Sequence, residues 1–265
     1  MTMSPPPMRE LRVSSWSEFN DWNASRDGWA FRGEHDANWP LVSSLARRLM
    51  QMRVPRELWR EREERALRVF RRKAHVYLPD RTVLEDTLRC LAMMQHHGAP
   101  TRLLDFTKSP YVAAFFALES ALGDSAVYAL NTPALAGLAP SLDGTLTRDA
   151  IDPRLPGNFE RHFSGGAQPL LWFGEPSEMD RRLVAQSGLL VVPGLLDRPL
   201  DTLLAAYDSR TPLIEKIVLV HSMRTEAMHA LYRMNVTQAT LFPDLDGLAR
   251  SIAYELEETW PLPTS

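Results

Sequence analysis

The chain has 265 residues, of which 45% are hydrophobic and 24% charged, so it can bury a core of its own without disulfide staples. Thirty basic residues against 33 acidic ones leave a net charge of −3, which argues against a generic nucleic-acid binder, because phosphate affinity is largely electrostatic. The lone cysteine, Cys90, excludes an internal disulfide and a cysteine-only metal cluster.

In chain order, residues 1–14 read as a flexible N-terminal tail, with three prolines early and no apolar signal region. Ser15 opens a helix, with Glu18 at the capping-box spacing, and Gly28 closes that region. Trp29 to Gly33 reads as a short strand with Trp29 and Phe31 at alternate positions. Pro40 to Met50 reads as a loop running into a short helix. Pro55 to Tyr77 reads as a long helix with acidic residues early and Arg68, Arg71, Arg72 and Lys73 late, in line with the helix dipole. Thr82 to His96 is a further helix, ended by Gly98 and Pro100.

Ser109 and Pro110 are an N-cap and first-turn pair for a helix to about Leu122 that is apolar nearly all round and therefore central. Strands are expected at Ser125 to Leu130, Leu189 to Val192, Glu215 to Val220 and Val236 to Phe242. Helices are expected at Pro176 to Gln186, Pro199 to Ala206, Thr225 to Arg233 and Leu245 to Leu256. Residues 131–170 are too rich in Pro, Gly and Ala to order by pattern. Without a run of roughly 18–20 apolar residues, no membrane span is expected, and the chain reads as a cytoplasmic α+β domain with an N-terminal helical extension.

Two stretches concentrate chemistry. Arg32 stands inside a strand, where an unpaired arginine is costly to bury, so it meets either an internal carboxylate or an anion in a cleft. Gly33 beside it allows close approach of a backbone or a ligand. The second stretch runs Gln95-His96-His97-Gly98-Ala99-Pro100-Thr101-Arg102-Leu103-Leu104-Asp105-Phe106-Thr107. Adjacent His96 and His97 point apart on regular structure and make poor ligands for one metal, so no metal is expected. Arg102 and Asp105 are close enough to form a structural ion pair. Asp244 suits a helix N-cap, and Gly188 a helix C-terminal stop. Cys90, mid-helix among apolar neighbours, reads as inert. Walker and dinucleotide glycine loops, a Gly-x-Ser-x-Gly elbow and His-Glu-x-x-His are all missing.

Phe31-Arg32-Gly33, the run from Gln95 through Ala117, Ala185-Gln186-x-Gly188 and Leu241 to Gly247 together resemble the FRG domain family, named for its Phe/Tyr-Arg-Gly motif, over residues 15–258. Residues 259–265 then remain as a C-terminal tail. The chain also resembles, more distantly, ADP-ribosyltransferases of the Arg-Ser-Glu class. An aromatic-Arg-Gly strand is followed by Asp105-Phe106-Thr107-x-Ser109, an apolar helix and the Gln238 to Pro243 step in the same order.

That resemblance implies a mixed, ADP-ribosyltransferase-like β core flanked by helices, with NAD as substrate. Arg32 would grip the pyrophosphate, and Thr107 and Ser109 would brace the nicotinamide-side ribose. Gly33, Gln95, His96, His97 and Arg102 would complete the nucleotide site. The chain departs from that class by lacking a Glu on the expected last strand, where Gln238 stands instead, so Asp244, Asp246 or Asp105 would supply the carboxylate. The partners implied are a nucleotide ligand and a protein or nucleic-acid acceptor. Two alternatives remain: a non-enzymatic sensor or interaction module in which Arg32 and Asp105 pair structurally, and a nucleic-acid-directed enzyme using the arginines of residues 60–73.

Overall fold

Short apolar runs lie side by side in one mixed sheet. The computed structural model describes residues 8–164 and 168–256. Its strands are β1 (Arg9–Val13), β2 (Ala30–Glu34), β3 (Leu104–Thr107), β4 (Ser125–Leu130), β5 (Leu171–Gly174), β6 (Gly188–Pro193) and β7 (Ile214–Leu219). They lie in the order β1-β7-β4-β2-β3-β6-β5, with β1 parallel to β7 and every other pair antiparallel. Every residue of β4 and of β6 is buried, which is why both read as nearly continuous apolar runs rather than as alternating ones.

Helices cover both faces. Helices α1 (Trp16–Asn23), α5 (Pro110–Leu118) and α9 (Arg224–Arg233) pack Phe19, Trp22, Ala113, Ala117 and Leu231 against Phe31, Val127 and Ile217. On the other face, α8 (Leu200–Leu204) packs against Leu104, Phe106 and Tyr128. The connection from β2 runs there into α2 (Ser44–Gln51), capped by Ser43. Helices α3 (Trp59–Ala74) and α4 (Thr87–His96) close the β5–β6 end together with a π-helical turn, Phe159–Ser164. The remaining helices are short or terminal: α6 (Thr132–Leu135), α7 (Arg181–Ala185), α10 (Gln238–Leu241) and α11 (Leu245–Tyr254). The protein is thus one α+β domain. Among the described residues, no helix is long and apolar enough to cross a membrane.

Four expectations need correction. Arg9–Val13, expected in a flexible tail, is an edge strand, because its backbone finds a partner in β7 and Val13 finds the core. Residues 1–7 and 259–265, the rest of the expected tails, lie outside the described residues. Helix α1 is no extension: Phe19 and Trp22 are buried in the main core. Val236 to Phe242, expected as the last strand, instead holds α10, because Thr237 and Thr240 form a reciprocal capping box that starts a helix there. Gly188 is not the left-handed residue that stops α7. Ser187 takes that conformation at φ 47°, and Gly188 is small because the Leu183 side chain lies where a β-carbon would stand.

Candidate functional site

The site begins with an interruption in the sheet. β2 and β3 pair only at Phe31 and Thr107. Continuing the antiparallel register would set Gly33 opposite Asp105. Instead, Arg32 Nη1 donates to the Asp105 main-chain carbonyl at 2.8 Å, so a side chain bridges where the ladder stops. A cleft of about 700 Å³ lies along this gap, lined by Arg32, Glu34, Asp105 and Thr107 from the strands and by Trp39, Arg47 and Arg48 from the α2 side. Its volume falls within the range of small-molecule sites, about 300–1,000 Å³.

Arg32 does meet a carboxylate, and it is Glu34. Strand alternation puts the two side chains on one face, and Arg32 Nε donates to Glu34 Oε1 at 2.9 Å. Arg47 Nη2 reaches both oxygens of Glu34 at 3.1 Å from the opposite side. Glu34 is only 4% exposed, so two arginines sandwich a buried anion, while Arg32 keeps 22% of its side chain open. The Arg47 guanidinium also lies 4.1 Å above the Trp39 ring, whose other neighbour is the His35 imidazole at 4.3 Å. Burial, and then the Glu34 charge, push the Tyr128 hydroxyl well above its ordinary pKa. The Arg32–Asp105 ion pair of the sensor-module alternative does not form; only the Asp105 backbone is involved.

Gly33 faces the other way. A β-carbon there would run into the backbone of Ala113 and Ala117 in α5, so the glycine serves close strand–helix packing. Together the Phe-Arg-Gly triplet buries an aromatic ring against α5, presents a cation to the cleft and lets the helix approach.

The 95–107 stretch divides into three parts. Gln95 Nε2 donates to Asp105 Oδ1 at 2.7 Å, and Gln95 Oε1 accepts the Thr101 hydroxyl, so this side-chain amide orients the carboxylate. The Thr107 hydroxyl donates to the Gln186 carbonyl at 2.6 Å and accepts the Ser109 N–H at 3.0 Å. Ser109 caps α5 through the Val112 N–H. Both hydroxyls are therefore occupied in holding β3 to α5 and to the α7 turn.

Arg102 belongs to neither the cleft nor Asp105. It is 2% exposed, donates Nε to Glu63 Oε1 at 2.6 Å and pairs through Nη2 with Glu63 Oε2, and its Nη1 meets the Phe163 carbonyl at 2.8 Å. Its expected role in the nucleotide site gives way to a clamp between β3, α3 and the π-helical turn.

His96 and His97 line a second cleft of about 420 Å³ behind Asp105. His96 Nδ1 lies 2.9 Å from Asp180, and the two rings meet edge to face at 4.9 Å. Gln238 and Asp244 lie outside both cleft linings. Gln238 donates to Glu119, which does line the first cleft, and Asp244 caps α11 through the Gly247 N–H at 2.8 Å. Of the basic residues on α3, Arg60 and Arg68 both pair with Glu64 on the same helix, and Arg71 donates to Thr87 of α4. Among the described residues, no three His, Cys, Asp or Glu side chains are grouped to hold a metal ion.

Sequence reading missed Glu34, Trp39, Arg47, Glu119 and Arg182 as cleft residues. Glu34 was within reach, since position i+2 on a strand shares the face of Arg32. The others come from loops and helices whose placement no local pattern encodes.

Fold and site together define an α+β protein with a ligand-sized cleft, in which arginines and carboxylates face one another across a break in the sheet. Residues 27–125 match the FRG domain model, from the approach to β2 through the 95–107 wall and α5 to the first residue of β4. No curated protein and no solved structure matches the chain.

Proposed function

We propose that the cleft beside Arg32 binds a nucleotide, with NAD as the substrate, and that the protein acts as an ADP-ribosyltransferase-like enzyme. The observation that supports this reading is the donor capacity left over at Arg32. Nε and Nη1 are engaged, whereas Nη2 has no acceptor among the described residues and the side chain remains part-exposed at the cleft. Arg47 likewise commits only Nη2 and leaves Nε and Nη1 without acceptors. Planar guanidinium groups with spare donors suit phosphate oxygens.

In transfer, the bond between ribose C1′ and the nicotinamide nitrogen breaks and the electron pair leaves with nicotinamide. Positive charge develops on the ribose, a carboxylate offsets it, and an acceptor group bonds to C1′ and gives up its proton. Asp105 is the best-placed carboxylate. Gln95 holds one of its oxygens, Oδ2 has no donor among the described residues, and the residue lines both clefts. Asp244 is committed to capping α11. The acceptor would be a protein or a nucleic acid.

Calorimetry with NAD tests this reading. Wild type binds, Arg32→Ala loses roughly tenfold or more in affinity, as expected for a charged hydrogen bond, and Asp105→Asn binds NAD but no longer releases nicotinamide. Absence of NAD binding by the wild type would refute it. The Arg32–Glu34–Arg47 network favours a second reading, a sensor or interaction module in which Arg32 is purely structural. In that case Arg32→Met alters folding or nothing at all, with no ligand effect.

A further inference from the structure

We infer that the two clefts form one bipartite site that holds a dinucleotide across their junction, with its linking phosphates on Arg182; this rests on the nucleotide reading above. Asp105, Arg182 and Gln186 line both clefts and are therefore the partition between them. Arg182 is part-exposed, and its side chain has no hydrogen bond or ion pair among the described residues. Its guanidinium rests 4.5 Å above the Phe242 ring, which fixes the group without neutralising it. An arginine held in this way at the meeting point of two cavities is an anion site for whatever passes between them.

The two halves differ in chemistry. The first cleft has spare guanidinium donors at Arg32 and Arg47. In the second, away from the shared Asp105 and Arg182, Arg89 pairs with Glu178 at 2.7 Å, and His96 with Asp180 at 2.9 Å. What remains there is an apolar slot walled by Ala92, Met93, Met179 and Leu183. A slot of that kind suits a flat heteroaromatic ring, with sulfur–aromatic contact from the methionines. The ligand class that satisfies both halves has linking phosphates within reach of Arg32, Arg47 and Arg182 and a planar heteroaromatic ring in the slot.

The test compares NAD with ADP, which lacks the second half. Arg182→Gln should weaken both roughly tenfold to a hundredfold, the effect of losing a charge-assisted contact. Met179→Trp, in the loop before α7 and outside the core, should fill the second cleft and weaken NAD by about tenfold or more while leaving ADP unchanged. Retained ADP binding also shows that the variant is folded, and Ala92→Trp provides an independent block. If the wild type binds both ligands and neither block separates them, the bipartite site is wrong while the nucleotide reading stands. If the wild type binds neither, both fall together.

Discussion

Two arginines stand out in the sequence, and their environments assign them opposite roles. Arg102 is sealed from solvent against Glu63 and two backbone carbonyls, so its charge holds elements together. Removing one partner of such a pair leaves an uncompensated buried charge, so Glu63→Ala should lose about 3–5 kcal/mol in urea unfolding. Arg32 shares its carboxylate with Arg47 and keeps an open flank. A third ion pair makes stability depend on pH. Burial alone would raise the Asp152 carboxyl, but its bonds to the Arg154 side chain and backbone outweigh that and hold it below the ordinary carboxylate range. Its contribution is therefore present above about pH 4 and is lost as pH falls through the depressed value. Melting curves should show Asp152→Asn less stable than wild type at neutral pH, with the gap closing in acid.

At the scale of elements, the pairing of β2 with α5 governs the geometry of the cleft. Gly33 lets the α5 backbone lie directly on the strand, and Ser109 starts that helix where Thr107 ends β3. Gly33→Ala forces strand and helix apart, and because the obstacle is main chain it cannot turn aside. A loss of about 1–3 kcal/mol or more is expected from thermal or denaturant unfolding. Displacement of Arg32 should follow, with weaker NAD binding even where the fold survives. The contrast with α10 is instructive. A Thr-x-x-Thr cap overrode the apolar alternation of Val236 to Phe242, because satisfying the first orphan N–H groups of a helix decides the conformation of so short a segment.

For the whole molecule, the sheet is completed by a strand that looked dispensable. β1 covers the edge of β7 along five register pairs, Val13 enters the core and Lys216 pairs with Glu10 at 2.8 Å. Removing residues 1–13 should lower the melting temperature and expose the β7 edge, with light scattering reporting association. A dispensable tail would leave both unchanged.

Local patterns in the sequence were enough to define the helices that carry good caps, the nearly continuous apolar strands β4 and β6, and the composite of Phe-Arg-Gly with residues 95–107. Each depends on neighbours within a turn or two, where capping, alternation and polar density can be read directly. The partners of those residues were not legible. Glu63 for Arg102, Arg47 for Glu34 and Arg182 at the junction come from segments far apart in the chain, and only packing brings them together. The break between β2 and β3 was equally hidden, because a strand's sequence states which face is buried but not how far a neighbour stays paired. Tertiary structure alone therefore decided which arginine faces the cleft and which one locks the fold.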